Sequence, residues 1–130
     1  MPEWGTRERQ VALRLIIADD DALARALIEA IVERDRELEL VGSAEDAERA
    51  IQLAHEHQPD VAVLDWVMPG GGGETAAREI LRRSPATKIV ALTAPDTHTI
   101  DVAEVRGVLP KGAPPNELLR AIREAGSATG

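Results

Sequence analysis

Acidic, hydroxyl and basic residues directly follow four short apolar segments of this sequence. Such residues at the ends of apolar runs could do chemistry together if the runs are neighbouring strands. Asp19 and Asp20 follow residues 15–18, and Asp65 follows residues 61–64. Thr93 follows residues 89–92, and Lys111 follows residues 108–110. Carboxylates, a hydroxyl and an ammonium group at one crevice would suit a divalent cation and a phosphoryl group.

Three consecutive carboxylates, Asp19, Asp20 and Asp21, follow the first apolar run. Adjacent buried carboxylates repel one another unless a cation lies between them. Mg²⁺ is a hard ion that takes one or two carboxylates and completes its shell with water and phosphate oxygens. Capping of the following helix is the alternative for one of the three, since Asp at a helix start accepts from free N–H groups. Asp21 is the residue that this alternative explains best.

Asp65, Thr93 and Lys111 each have a structural and a chemical interpretation. Asp65 could be a turn residue or a nucleophile, because carboxylates attack phosphorus to give aspartyl phosphates. Thr93 could cap a turn or bond a phosphoryl oxygen, and Lys111 could extend into solvent or neutralise the phosphoryl charge. Their joint placement after different strands favours the chemical interpretation. The run of glycines at 70–73 lacks the Lys-Ser/Thr ending of a P-loop, so we interpret it as a flexible connection.

The apolar pattern predicts an α/β fold in which strands and helices alternate. We expect strands over residues 13–18, 38–44, 61–65, 88–93 and 105–109, and helices over 22–35, 45–56, 74–83 and, weakly, 96–104. A last helix opens at Pro114-Pro115-Asn116 and ends at Gly126. Continuous apolar strands are typical of a parallel sheet covered on both faces, that is, a doubly wound arrangement. The first helix carries an apolar stripe of Leu23, Leu27, Ile28, Ile31 and Val32.

Length, charge and composition limit the function classes. The 130 residues suit a single domain, which we place at residues 11–125, with an N-terminal extension at 1–10 and a tail or linker stub at 126–130. The net charge of −8 argues against direct nucleic-acid binding by this chain. No apolar run reaches the ~20 residues of a membrane helix, so we expect no membrane partner. Because the sequence has no Cys, we expect a reducing, cytoplasmic location.

Four sequence segments resemble the motifs of one family, the receiver domain of two-component response regulators. They are IIADDDALAR, VAVLDWVMPG, VALTA and VLPKG, and the resemblance covers nearly the whole chain. It implies a flavodoxin-like, five-stranded parallel sheet of order 2-1-3-4-5. It also implies that Asp65 is the phosphoacceptor and that Mg²⁺ is held by Asp19, Asp20, Asp65 and the backbone carbonyl of Val67. Thr93 and Lys111 match the residues that contact the phosphoryl group.

The resemblance implies a signalling switch rather than a turnover enzyme. A sensor histidine kinase or a phosphotransfer protein would donate the phosphoryl group to Asp65, and a second copy of the chain, in a homodimer, is a further candidate partner. Three positions depart from the family pattern: Val108 stands where Tyr or Phe is usual, Pro110 precedes the lysine, and 17 residues separate Thr93 from Lys111. All three lie where the family transmits its signal.

Two alternatives stay open from the sequence. The first is a receiver-like binding module that no longer uses phosphate. The second is a haloacid-dehalogenase-like phosphatase with Asp19 as nucleophile and Asp21 as acid and base, although Leu23 stands where that family has Thr or Val.

Overall fold

The computed structural model describes residues 12–95, 100, 102 and 104–127. Five parallel strands form one sheet in the order β2-β1-β3-β4-β5, which confirms the predicted fold and topology. The strands are β1 (Leu13–Ala18), β2 (Leu38–Ala44), β3 (Val61–Asp65), β4 (Lys88–Thr93) and β5 (Val105–Pro110). The helices are α1 (Ala22–Glu33), α2 (Ala47–His57), α3 (Gly72–Arg83) and α4 (Pro115–Gly126).

The core lies in two layers, one on each face of the sheet. Because successive strand residues point to opposite faces, each apolar strand feeds both layers. Ile16, Leu64 and Ala91 pack on the face covered by α2 and α3. Ile17 and Val63 pack on the opposite face, which α1 and α4 cover. This division explains why the central strands β1, β3 and β4 carry continuous apolar runs, whereas the edge strands β2 and β5 also carry polar residues.

Several predicted element ends shift by one or two residues in the structure. The helix predicted for 22–35 ends at Glu33, the one predicted for 45–56 is Ala47–His57, and the one predicted for 74–83 begins at Gly72. The start of α2 follows from Asp46, whose carboxylate accepts the Arg49 N–H at 2.8 Å. Strand β5 extends through Pro110, which the sheet tolerates because β5 is an edge strand.

Two further predictions need correction. Leu23 and Leu27 are not buried with Ile28 and Val32, since their residues are 71% and 58% exposed. Each residue turns the helix by about 100°, so Leu27 points well away from the sheet-facing direction of Ile28. The glycine run is not only a connection, because Gly70 and Gly71 form a turn while Gly72 and Gly73 begin α3, where the Gly73 N–H donates to the Trp66 carbonyl at 3.0 Å. Gly70, Gly71 and Gly72 have positive φ angles, which glycine adopts at little cost.

The remaining predictions fall wholly or largely outside the described residues. Residues 1–10, most of the 126–130 tail and most of the weak helix predicted for 96–104 lie there. The three described residues of the 96–104 segment are not helical; Val102 belongs to the core layer on the face of α2 and α3, and Ile100 packs against that layer.

Candidate functional site

Asp19 lies at the end of β1, fully buried beneath the edge of the sheet. Its Oδ1 accepts hydrogen bonds from the Asp21 N–H at 2.9 Å and from Lys111 Nζ at 3.1 Å. Its Oδ2 is buried and lacks a hydrogen-bond partner among the described residues. A buried acceptor without a partner is costly, so this oxygen is suited to a ligand that the protein itself does not supply.

Asp65 lies at the end of β3, next to β1 in the sheet, and is almost completely buried. Its Oδ2 accepts from Lys111 Nζ at 2.9 Å, and its Oδ1 accepts from the Val67 N–H at 3.1 Å. Burial raises the pKa of Asp65, and the nearby Asp19 charge adds to that rise. The hydrogen bonds from Lys111 and Val67 oppose the rise without cancelling it.

Asp20 completes an acidic cluster with Asp19 and Asp65. One carboxylate oxygen of each lies within 4.8 Å of those of the other two, and Asp20 is exposed to solvent. The cluster therefore combines hard oxygen donors, an unpartnered buried oxygen and an open side. These properties fit Mg²⁺, which binds through few carboxylates and keeps water or phosphate in its other positions.

Lys111 follows β5 and bridges the two buried carboxylates. Partial burial works to lower the pKa of Lys111, but the hydrogen bonds that it donates to Asp65 and Asp19 and the charges of both carboxylates outweigh it, and the pKa is raised. The ammonium group is therefore cationic at neutral pH. About a third of the side chain remains exposed, so the cation also faces the open side of the cluster.

Thr93 and Asp21 lie beside the cluster without joining it. The Thr93 hydroxyl donates to the Leu109 carbonyl at 3.3 Å, and the Thr93 carbonyl accepts from the Lys111 N–H at 2.9 Å. Asp21 caps α1, where its Oδ1 accepts from the N–H groups of Leu23 and Ala24. Those two bonds lower the pKa of Asp21. The structure thus agrees with capping as the role of Asp21, and it places Thr93 against β5.

Sequence reasoning did not identify Arg25, whose guanidinium reaches the cluster from α1. Its Nη1 donates to the backbone carbonyl of Asp19 at 2.7 Å. A contact between a side chain and a backbone carbonyl leaves no pattern in the sequence. The sequence offered only one signal for this contact, which is that Arg25 is a basic residue one helical turn after the acidic residues 19–21.

An apolar groove opens next to Lys111 between α1 and α4. It has a volume of about 290 Å³, and the exposed Leu27 and the turn after Lys111 form part of its wall. The exposed Leu23 lies one turn before Leu27 on the same helix. In the part of the chain that the structure describes, no helix is both long and apolar enough to cross a membrane.

Comparison with known proteins adds a family match. Residues 15–123 match the response regulator receiver domain. Response regulator GacA of Pseudomonas protegens is 37% identical over 115 residues, which are 85% of this chain and 54% of that protein. Response regulator UvrY of Escherichia coli is 35% identical over 115 residues, 85% of this chain and 53% of that protein. The chain thus spans about half the length of these curated relatives.

A solved structure gives the same fold. RcsB of Salmonella enterica serovar Typhimurium, bound to promoter rprA in the presence of the phosphomimetic BeF₃⁻, superposes with a TM-score of 0.74. It is 28% identical, and the match covers 85% of this chain and 66% of that chain.

Proposed function

Because this chain belongs to the response regulator receiver domain family, we propose that it accepts a phosphoryl group on Asp65. The observation that carries the proposal is the buried Asp65 carboxylate, bonded by Lys111 at 2.9 Å and flanked by the carboxylates of Asp19 and Asp20. We infer that the chain is a phosphoryl acceptor and not an enzyme with turnover on a small substrate. Family membership leaves the haloacid-dehalogenase-like alternative without support.

The proposed reaction forms a bond between an Asp65 carboxylate oxygen and phosphorus. The bond from phosphorus to a histidine nitrogen of the donor breaks, and its electron pair stays on that nitrogen. Asp65 must be ionised to attack, and Lys111 favours the ionised form through its hydrogen bond. The Lys111 ammonium would then offset negative charge on the phosphoryl oxygens.

Asp19, Asp20, Asp65 and the backbone carbonyl of Val67 would hold Mg²⁺. The supporting observation is the buried Asp19 Oδ2 that lacks a partner among the described residues. When bound, the ion would neutralise charge on the phosphoryl oxygens. Before binding, Lys111 is the cation that keeps Asp19 and Asp65 close together.

Thr93 would change partner after phosphorylation. A phosphoryl group adds about two negative charges, which attract a hydroxyl donor. The bond that Thr93 must give up, to the Leu109 carbonyl, is long at 3.3 Å and therefore weak. Its release would free the adjoining part of β5 and so convert a charge at Asp65 into a change of conformation.

We propose a sensor histidine kinase or a phosphotransfer protein as the donor. Exposed Leu23 and Leu27 and the groove beside Lys111 form an apolar surface next to the site, suited to a helical partner that carries the phosphohistidine.

A kinase of this type draws on ATP, which is consistent with a cytoplasmic location. The chain itself, with a net charge of −8, would not bind DNA directly, so a DNA-binding output would need a further domain. We also propose a second copy of the chain, in a homodimer, as a partner.

The test is Mg²⁺-dependent labelling by a small phosphodonor such as phosphoramidate. Intact-mass measurement should detect one phosphoryl group on the wild type and none on Asp65→Asn. Asp60→Asn is the matched control, because Asp60 precedes the same strand, is exposed, and bonds the Arg14 N–H instead of Lys111. Equal labelling of Asp65→Asn and wild type would refute the assignment.

A second measurement addresses the alternative of a binding module that does not use phosphate. Beryllofluoride with Mg²⁺ should change the fluorescence of Trp66, the residue next to Asp65, in the wild type. If neither labelling nor a beryllofluoride response occurs in folded wild-type protein, the result refutes the phosphoryl acceptor and favours the binding module.

A further inference from the structure

The peptide that joins Asp19 to Asp20 is held by a side chain outside the acidic cluster. Arg25 Nη1 donates to the Asp19 carbonyl at 2.7 Å, the short distance of a strong charge-assisted bond. The Arg25 side chain is only 22% exposed, so this contact is sheltered from water.

This bond determines where Asp20 lies. A peptide unit is planar, so fixing the Asp19 carbonyl oxygen also fixes the direction of the Asp20 N–H and Cα. Asp19 itself has other anchors, since its N–H donates to the Ala44 carbonyl and its Oδ1 accepts two bonds. In contrast, no described side chain bonds or pairs with the Asp20 carboxylate. The position of Asp20 therefore depends on the backbone that Arg25 holds.

Arg25 is in turn held from the neighbouring strand. Its Nε lies 3.9 Å from Glu29 Oε2, and the same oxygen accepts a 2.5 Å hydrogen bond from the Ser43 hydroxyl. Ser43 lies near the end of β2, and the Asp19 N–H is bonded to the next residue of that strand, Ala44. A chain of polar contacts thus runs from β2 through α1 to the Asp19–Asp20 peptide.

We propose that Arg25 is a positioning residue that orients Asp20 for Mg²⁺ binding and, through Mg²⁺, for phosphoryl acceptance. This inference rests on the proposed function. Arg25 acts through the backbone and need not touch the ion or the phosphoryl group.

The direction in which the Mg²⁺ affinity changes distinguishes a positioning role of Arg25 from a purely electrostatic one. Arg25 is a cation near a site for a divalent cation, so removing its charge alone would strengthen Mg²⁺ binding. Loss of positioning would weaken binding instead, because Asp20 would sample orientations that do not face the other carboxylates. Removal of groups that orient metal ligands typically costs about 10- to 100-fold in metal affinity. Since Arg25 orients one ligand out of several, we expect about a tenfold loss, the low end of that range.

The experiment compares Mg²⁺ affinity by Trp66 fluorescence in a Trp4→Phe background, which leaves Trp66 as the single indole. Arg25→Met should raise the Kd for Mg²⁺ about tenfold. Arg25→Lys keeps a charged donor and should recover part of the loss. Arg34→Met is the matched control, because it removes the same charge from the exposed end of α1 and should leave the Kd unchanged.

A second readout needs no metal. In the metal-free protein, the ¹H–¹⁵N resonance of Asp20 should move in Arg25→Met and stay in place in Arg34→Met, with thermal unfolding confirming that both fold. If Arg25→Met binds Mg²⁺ as tightly as Arg34→Met or more tightly, the inference is overturned while the proposed function stands. If the wild type does not bind Mg²⁺, the proposed function fails as well.

Discussion

Replacing Lys111 with methionine tests how the three carboxylates tolerate one another without metal. Lys111 Nζ lies 3.1 Å from Asp19 Oδ1 and 2.9 Å from Asp65 Oδ2, and both carboxylates are buried. Lys111→Met removes this cation from a cluster whose oxygens lie within 4.8 Å of one another. Repulsion within the cluster would then have no compensating charge from this side chain.

The expected cost follows from the two ion pairs. At about 3 Å and an effective dielectric constant of about 20, each pair attracts by roughly 5 kcal/mol before desolvation is counted. Removing one partner of a buried pair costs about 3–5 kcal/mol in practice. Because 34% of the Lys111 side chain is exposed and partly screened, we expect a loss of about 2–3 kcal/mol in the free energy of unfolding at pH 7.

The stability difference between the wild type and Lys111→Met should shrink both in acid and in base. Without the Lys111 hydrogen bond, the pKa of Asp65 rises further above its unfolded value. At a pH between the unfolded and the folded pKa of Asp65, the folded state binds more protons than the unfolded state. The free energy of unfolding of Lys111→Met therefore rises as the pH falls. In the wild type, folding raises the pKa of Lys111. The stability that Lys111 contributes is therefore fully present below its unfolded pKa and is lost as the pH rises through its folded pKa. The two proteins should therefore converge in acid and in strong base.

Urea unfolding, followed by circular dichroism at pH 7 and pH 4 with and without Mg²⁺, measures this difference. Lys88→Met is the matched control. Lys88 begins β4, whereas the acidic cluster lies near the other end of that strand, so its replacement should cost little stability. Millimolar Mg²⁺ should restore much of the stability of Lys111→Met, because the ion replaces the missing cation. A deficit at pH 7 no larger than that of Lys88→Met, or one that neither acid nor Mg²⁺ reduces, would refute the reasoning.

Three further changes test other parts of the site. Asp21→Ala should lower the unfolding midpoint through loss of the α1 cap but leave Mg²⁺ affinity unchanged; weakened Mg²⁺ binding would make Asp21 a ligand. Gly73→Ala should destabilise the fold by about 2 kcal/mol in urea, because its Cβ would lie 2.7 Å from the Trp66 Cα, whereas Gly107→Ala makes only ordinary van der Waals contacts from 3.5 Å outward. Leu27→Ser should slow phosphotransfer from a kinase but not labelling by phosphoramidate, and an equal effect on both would exclude a docking role.

Much of the fold could be predicted because the strands carry a strong local signal. Four of the five strands have the predicted bounds, and in three of them, β1, β3 and β4, the signal is an apolar run whose residues are buried on both faces. Helix ends are less certain from sequence, because caps such as Asp46 determine them and several residues could cap equally well. The meeting of Asp19, Asp65 and Lys111 followed from topology, since parallel strands present their carboxyl ends at one edge.

Other features depend on contacts that no local pattern encodes. The apolar stripe of α1 was wider than the surface that the sheet buries, so Leu23 and Leu27 are exposed although their spacing is helical. The role of Arg25 depends on a backbone carbonyl six residues away, and that of Ser43 on Glu29 in another element. Such contacts arise only after the chain has folded.

The residue at position 108, Val108, differs from the family pattern close to the site. That side chain is 54% exposed on the edge strand, where the family usually has an aromatic ring, and it has no hydroxyl or ring to follow Thr93. Thr93 is nevertheless tied to β5 twice, through its hydroxyl to the Leu109 carbonyl and through its carbonyl to the Lys111 N–H. Both residues that would meet a phosphoryl group therefore act on the same short stretch of backbone. If Asp65 accepts a phosphoryl group as proposed, the signal would therefore leave through the β5 backbone bonds and not through the rotation of an aromatic side chain.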